Sequence, residues 1–140
     1  MAGIKYSRQR HSIKDYLAST TEHPTAETIY LNVKDFFPHI SLGTVYRNLN
    51  LLIELNQARK ILTPDGRDRF DGITTLHSHF YCTNCGRILD LNIDNRQVEQ
   101  MNHAASEGFE GIIESSSTLF YGKCNECIES QKITKEKEGN

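Results

Sequence analysis

Residues 69–90 read RFDGITTLHSHFYCTNCGRILD. Two kinds of metal-binding side chain share this stretch. Asp71, His77, His79 and Asp90 offer oxygen and nitrogen, whereas Cys82 and Cys85 offer sulfur. Thiolates suit zinc, and imidazole mixed with carboxylate suits iron or manganese. The stretch therefore predicts two metal sites of different character on either side of one short strand. It also marks a change of architecture, because the chain before it is patterned for helices and the chain after it for a small sheet.

On the N-terminal side, RQRHSIKDYLAS (residues 8–19) places Ile13, Tyr16 and Leu17 at i, i+3, i+4, the spacing of one helical face. His23-Pro24 interrupts it, since proline disfavours helix in the residue before it. Thr25 is placed to cap a second helix reaching Phe36, with Ile29 and Val33 inward, and Pro38 ends it. Ser41 caps a third helix, LGTVYRNLNLLIEL, with Val45, Leu49 and Leu52 inward. From Ala58 to Phe70 the pattern becomes a β-hairpin around Pro64-Asp65-Gly66. Three short helices followed by a hairpin predict a winged helix-turn-helix over residues 1–72, with the third helix in the DNA major groove. Thr44, Tyr46, Arg47 and Asn50 lie off its apolar stripe. Arg pairs bidentately with guanine and Asn with adenine, while Thr or Tyr meets a phosphate or a thymine methyl. A solvated polar face has the same composition.

On the C-terminal side, residues 72–77 read as a hinge into a second module, residues 73–140. Ser78–Cys82 and Arg87–Asn92 read as strands, Asn95–Glu107 as a helix presenting Val98, Met101 and Ala105, and Phe109–Tyr121 as strand-like. The tail KITKEKEGN reads as charged and frayed. The class is α+β, a winged helix followed by a β-β-α-β module. So small a sheet leaves an open edge that a second copy would cover, and a helix-turn-helix reads two half-sites as a dimer. Both point to a homodimer.

Composition narrows the classes. The 140 residues carry 37% hydrophobic side chains and no Trp, so neither half buries a large core and a structural metal would supply stability. No apolar run is long enough for a membrane span, and the N-terminus lacks a signal-peptide core, which predicts a cytoplasmic protein. Residues 1–72 carry a net +2 and residues 73–140 a net −4, the order expected of a nucleic-acid reader fused to a sensing or assembly module.

The four cysteines form two Cys-x-x-Cys pairs, Cys82/Cys85 and Cys124/Cys127, separated by thirty-eight residues. Each pair presents two sulfurs to one tetrahedral ion, and two pairs close a structural zinc site with no open position. A strand-helix-strand excursion accounts for the long separation. Redox thiols and free buried thiols are the competing readings. His77 and His79 alternate on a strand and share one face. Asp71 and Asp90 flank that face, and His23 is placed to reach it from the first module. Such a set suits Fe²⁺ or Mn²⁺.

HPTAETIY (23–30), ISLGTVYRNLNLL (40–52), RFDG (69–72), HSHFYCTNCGRILDL (77–91) and YGKCNEC (121–127) together resemble the ferric uptake regulator family. The resemblance covers residues 8–128 and lies nearest the peroxide-sensing branch, whose regulatory ligands match His23, Asp71, His77, His79 and Asp90. The iron-uptake branches usually carry Glu where Asp71 and Asp90 stand. The resemblance implies a dimeric repressor, not an enzyme, that binds palindromic promoter DNA when Fe²⁺ or Mn²⁺ is bound. It further implies that peroxide oxidises His23 or His77 and releases the DNA. A repressor of iron or manganese uptake is the alternative; a small metalloenzyme and a zinc-ribbon adaptor are readings from other classes. Gly43 departs from the family, which more often has Ala there, and LNIDNRQVEQ offers no evident ligands for the additional metal site that some members carry.

Overall fold

Hydroxyl side chains open all three N-terminal helices. In the computed structural model, which describes residues 5–72 and 78–138, Ser7 Oγ accepts from the Arg10 amide at 3.2 Å and starts α1, Arg8–Ser19. Thr25 Oγ1 accepts from the Thr28 amide at 3.3 Å and starts α2, Ala26–Val33. Ser41 Oγ accepts from the Thr44 amide at 3.1 Å and starts α3, Leu42–Glu54. Each cap satisfies an amide that has no partner within its own helix. The second helix stops at Val33 and not at Phe36: the Phe36 amide bonds the Val33 carbonyl at 3.0 Å, tightening the chain into turns before Pro38.

The chain divides into two units, Met1–Thr75 and Leu76–Asn140. In the first, Ile13, Leu17, Ile29, Val33, Val45, Leu49 and Leu52 meet in one core that Ala58 and Phe70 complete. The last two belong to the hairpin region: β1 (Arg59–Ile61) pairs antiparallel with β2 (Arg69–Asp71), Lys60 opposite Phe70. The Phe70 amide also donates to the Pro24 carbonyl at 3.0 Å, tying the wing to the entrance of α2. This is a winged helix-turn-helix. Gly72 follows directly, and a Cβ there would stand 2.7 Å from the Leu17 carbonyl carbon, so only glycine lets the chain pass the end of α1.

The second unit is a three-stranded sheet in the order β4-β3-β5. β3 (Ser78–Cys82) pairs antiparallel with β4 (Ile88–Leu91) and parallel with β5 (Leu119–Gly122), the crossover passing through α4 (Asn95–Ser106). Asp94 caps α4 through the Arg96 amide at 3.0 Å. The strand expected over 109–121 forms only at Leu119–Gly122, where β3 supplies a partner; Phe109 and Ile112 ahead of it are exposed. No residue of α4 is buried, and Met101 on its expected apolar face is 64% exposed. Where a frayed tail was expected, the chain forms α5, Asn125–Glu138. It begins at the second cysteine pair, the Ile128 amide bonding the Cys124 carbonyl at 3.0 Å. Glu126 in its first turn suits the helix dipole, and its Glu, Gln and Lys content favours helix.

Candidate metal centres and recognition helix

The turn between β3 and β4 and the junction between β5 and α5 each carry one Cys-x-x-Cys pair. The Thr83 amide donates to the Gly122 carbonyl at 2.8 Å, which sets the two junctions side by side. Cys82, Cys85, Cys124 and Cys127 gather there with all four sulfurs within 4.8 Å of one another. Cys82 Sγ lies 3.7 Å from Cys127 Sγ, and Cys85 Sγ lies 3.8 Å from Cys124 Sγ. A tetrahedron with zinc–sulfur bonds of about 2.3 Å has sulfur–sulfur edges of about 3.8 Å. The thiols are unbonded to one another, since all four are free.

Electrostatics around the sulfurs favours a bound cation. Amides of Cys85 and Cys124 point at Cys82 Sγ at 3.5 and 3.4 Å. These amides, the Cys85 one first, bring the Cys82 thiol down to about 6. At Cys85 the Arg87 amide pulls the other way, but burial and the neighbouring thiols together push the group up to about 12. Cys127 is also raised: Asn84 draws it down, at 3.2 Å from its sulfur, and the Cys124 thiol and burial outweigh that. Without a cation, one thiolate suppresses ionisation of its neighbours; a divalent ion reverses this and binds the deprotonated set. The donor set and spacing fit structural zinc.

Two His–Asp pairs lie elsewhere, one in each unit. In the first unit, His23 Nε2 is 3.5 Å from Asp71 Oδ2, both side chains almost fully buried. His23 has φ +51°, a backbone conformation uncommon for a residue with a Cβ, held by Pro24 after it and by the bond from Pro24 to Phe70. Asp71 ends β2, so the wing and the entrance of α2 fix both partners. In the second unit, His79 and Asp90 face each other across β3 and β4, with Nε2 3.4 Å from Oδ1. His79 is buried and Asp90 partly exposed. His77, the remaining predicted ligand, lies outside the described residues.

On α3, Tyr46, Arg47 and Asn50 are exposed and Thr44 is half-buried. Arg47 Nη2 donates to Thr44 Oγ1 at 2.8 Å, and that oxygen lies 2.9 Å from Ser41 Oγ. The guanidinium is thus steered along the outer face of the helix near its N-terminus. Tyr46 donates its hydroxyl to Glu27 Oε1 of α2 at 3.3 Å. Partial burial and the Glu27 carboxylate hold the phenol above its usual range, so it stays a neutral donor. Glu27 had no signal in the sequence, because its role depends on α2 crossing beside α3.

A family model described as the ferric uptake regulator family matches residues 1–117. The chain belongs to the ferric uptake regulator family. The matched residues stop short of Cys124 and Cys127, so the grouping of the four sulfurs rests on geometry. Among curated relatives, the peroxide operon regulator of Bacillus subtilis is 33% identical over 129 residues, 92% of this chain and 88% of that protein. The peroxide stress regulator of Campylobacter jejuni superposes with a TM-score of 0.74 at 29% identity, covering 85% of this chain and 88% of its own. The ferric uptake regulator of Helicobacter pylori gives 0.77 at 25% identity, covering 92% and 85%. Like other ferric uptake regulator family chains, this one is a regulator by descent. No helix among the described residues is long and apolar enough to cross a membrane.

Proposed function

We propose that this chain is a metal-dependent, DNA-binding transcriptional repressor that responds to hydrogen peroxide. The observation that carries the reading is the pair of His–carboxylate contacts, His23–Asp71, buried on both sides, and His79–Asp90, buried at the histidine. Each pair alone offers two donors, too few to hold a divalent ion firmly. Together with His77, which lies outside the described residues, they would supply five nitrogen and oxygen ligands without sulfur, a set that suits Fe²⁺ or Mn²⁺. Both acids are Asp, as the peroxide-sensing resemblance requires, and the Bacillus subtilis relative is named a peroxide operon regulator.

The residues of this chain divide the work. Asp71 belongs to the wing and His23 to the entrance of α2, so an ion that also took His79 and Asp90 as ligands would tie the DNA-reading unit to the sheet unit. Binding that requires one arrangement of the units shifts the population toward it. In a homodimer this fixes the spacing of two α3 helices, and Thr44, Tyr46, Arg47 and Asn50 then meet successive half-sites of a palindrome. Bound ferrous iron supplies redox chemistry toward peroxide, with the imidazoles of His23 and His77 as targets. An oxidised imidazole would be a weaker ligand, so the tie would loosen and DNA affinity would fall. Zinc on Cys82, Cys85, Cys124 and Cys127 has no open position and holds the second unit's architecture.

The test is to load the full chain with Fe²⁺ or with Mn²⁺, add dilute peroxide, and locate added oxygen by peptide mass while following binding to promoter duplex. Oxygen on His23 or His77 with iron but not manganese, together with loss of binding, is the expected result. DNA binding that needs metal yet ignores peroxide, with unmodified histidines, replaces this reading with a repressor of iron or manganese uptake.

A further inference from the structure

The wing carries a cation that the metal switch and the recognition helix do not use. Between β1 and β2 the chain turns through Leu62-Thr63-Pro64-Asp65-Gly66-Arg67-Asp68. Gly66 has φ +77° and its amide bonds the Thr63 carbonyl at 3.1 Å. Arg67 comes next and its backbone is held on both sides. Its amide donates to Asp65 Oδ1 at 2.9 Å, and its carbonyl accepts from Thr63 Oγ1 at 2.8 Å. The Thr63 hydroxyl also contacts Asp65 Oδ1, closing the brace.

The wing's two tip acids are already engaged. Asp65 Oδ2 takes Arg69 Nη2 at 3.5 Å, and Asp68 Oδ2 takes Lys60 Nζ at 3.7 Å. Arg67 is exposed, and among the described residues no acid pairs with its guanidinium. Leu62, at the start of the turn, is 70% exposed. A braced turn thus presents one planar cation at the tip of a hairpin that starts five residues after α3 ends.

We propose that Arg67 reads the minor groove of DNA flanking the α3 site, inserting where A·T pairs narrow that groove. This rests on the reading of the first unit as a DNA-binding module. With α3 in the major groove, a hairpin that begins five residues further along the chain would stay within reach of the adjoining duplex. A narrow A·T-rich minor groove concentrates negative potential and attracts arginine in preference to lysine, whose ammonium is more strongly hydrated. The bracing removes backbone freedom that insertion would otherwise have to freeze out. Arg67 adds specificity at base pairs the recognition helix never touches.

The experiment uses the full chain loaded with Mn²⁺ and a duplex it selects from a random pool. The flanking pairs are then changed to A·T, G·C or inosine·C runs. Inosine·C keeps the minor-groove edge of A·T while carrying a different major-groove edge. The wild-type chain is expected to bind A·T and inosine·C flanks about tenfold more tightly than G·C flanks. Arg67→Ala is expected to bind all three alike, Arg67→Lys to lose most of the preference, and both to melt with the wild-type chain because the side chain is exposed. Arg67→Ala that keeps the flank preference overturns the inference, as does a loss equal on every flank, which marks a phosphate contact. Failure of the wild-type chain to select any duplex overturns the DNA-binding reading itself.

Discussion

Two glycines make opposite demands on the same added methyl group. Gly43 sits in the first turn of α3, where a Cβ would meet Arg47 Nη1 and Ser41 Oγ at 3.8 Å, an ordinary contact. Gly43→Ala should therefore stabilise the chain by about 0.5–1 kcal/mol by restricting the unfolded backbone. At Gly72 the same methyl lies 2.8 Å from the Leu17 carbonyl oxygen and 2.9 Å from the Ala18 nitrogen, and backbone cannot step aside as a side chain can. Gly72→Ala should destabilise by about 1–3 kcal/mol. Thermal melting of both variants beside the wild type checks the pair, and the same sign for both would sink the argument. The sequence distinguished neither position. Gly43 showed only as a departure from the family's usual Ala and Gly72 as the start of a hinge, because a close approach by α1 leaves no local pattern.

At the scale of elements, the helices were legible and the extended segments less so. Hydroxyl caps and the 3.6-residue apolar period are local, so α1, α2 and α3 follow from nearest neighbours in the chain. A strand needs a partner, and residues 109–118 have apolar and β-branched side chains without one until Leu119 meets His79. The register that sets His79 opposite Asp90 was legible only as alternation, and the contact of Glu27 with Tyr46 was not legible at all. The wing tip offers a test of its geometry through pH. The Thr63 hydroxyl, the Arg67 amide and Arg69 hold the Asp65 carboxyl below its ordinary 3.8. A depressed folded value means that the carboxylate's contribution is fully present above the unfolded value and is lost as pH falls through the folded one. The Arg67 amide resonance should therefore titrate with a midpoint below 3.8, and Asp65→Asn should abolish that step. A midpoint at or above the ordinary value would show that the brace does not persist in solution.

The whole molecule is asymmetric in how its two units are held. The first has a packed core of aliphatic side chains and Phe70. The second leaves the apolar face of α4 open: Ile93, Val98, Met101, Ala105 and Phe120 line a groove of about 480 Å³, and Phe109 and Ile112 are exposed nearby in sequence. The proposed homodimer would cover this face with a second copy, and uncovered apolar surface of this extent in so small a unit favours such a partner. The wild type should then sediment at twice the 16.0 kDa of one chain and Met101→Glu near 16.0 kDa; an unchanged mass would place the dimer elsewhere or deny it.

Among the described residues, the second unit's buried apolar side chains make a small cluster: Cys82, Cys124 and Cys127 with Phe80 and Leu89 packed on it, beside Tyr81 and Ile88. Such a cluster cannot offset the conformational entropy of sixty-odd residues at about 1–2 kcal/mol each. A four-thiolate zinc site contributes an apparent binding free energy of about 10–16 kcal/mol, as large as the whole stability of an ordinary domain. It also joins the β3–β4 turn to the β5–α5 junction, the two places where the sheet would otherwise part. Removing the metal under reducing conditions should therefore melt the second unit and spare the first. Amide hydrogen exchange reads the two separately: protection in β3, β4 and β5 should fall toward that of an unfolded chain, while α1, α2 and α3 keep theirs. Equal loss in both units would mean that the winged helix depends on the sulfur site for its own core, which the aliphatic packing of Ile13, Ile29, Val45 and Leu49 argues against. Retained protection in the second unit would mean that its strands and uncovered helix face hold without the metal, and the sulfur cluster would then need another explanation.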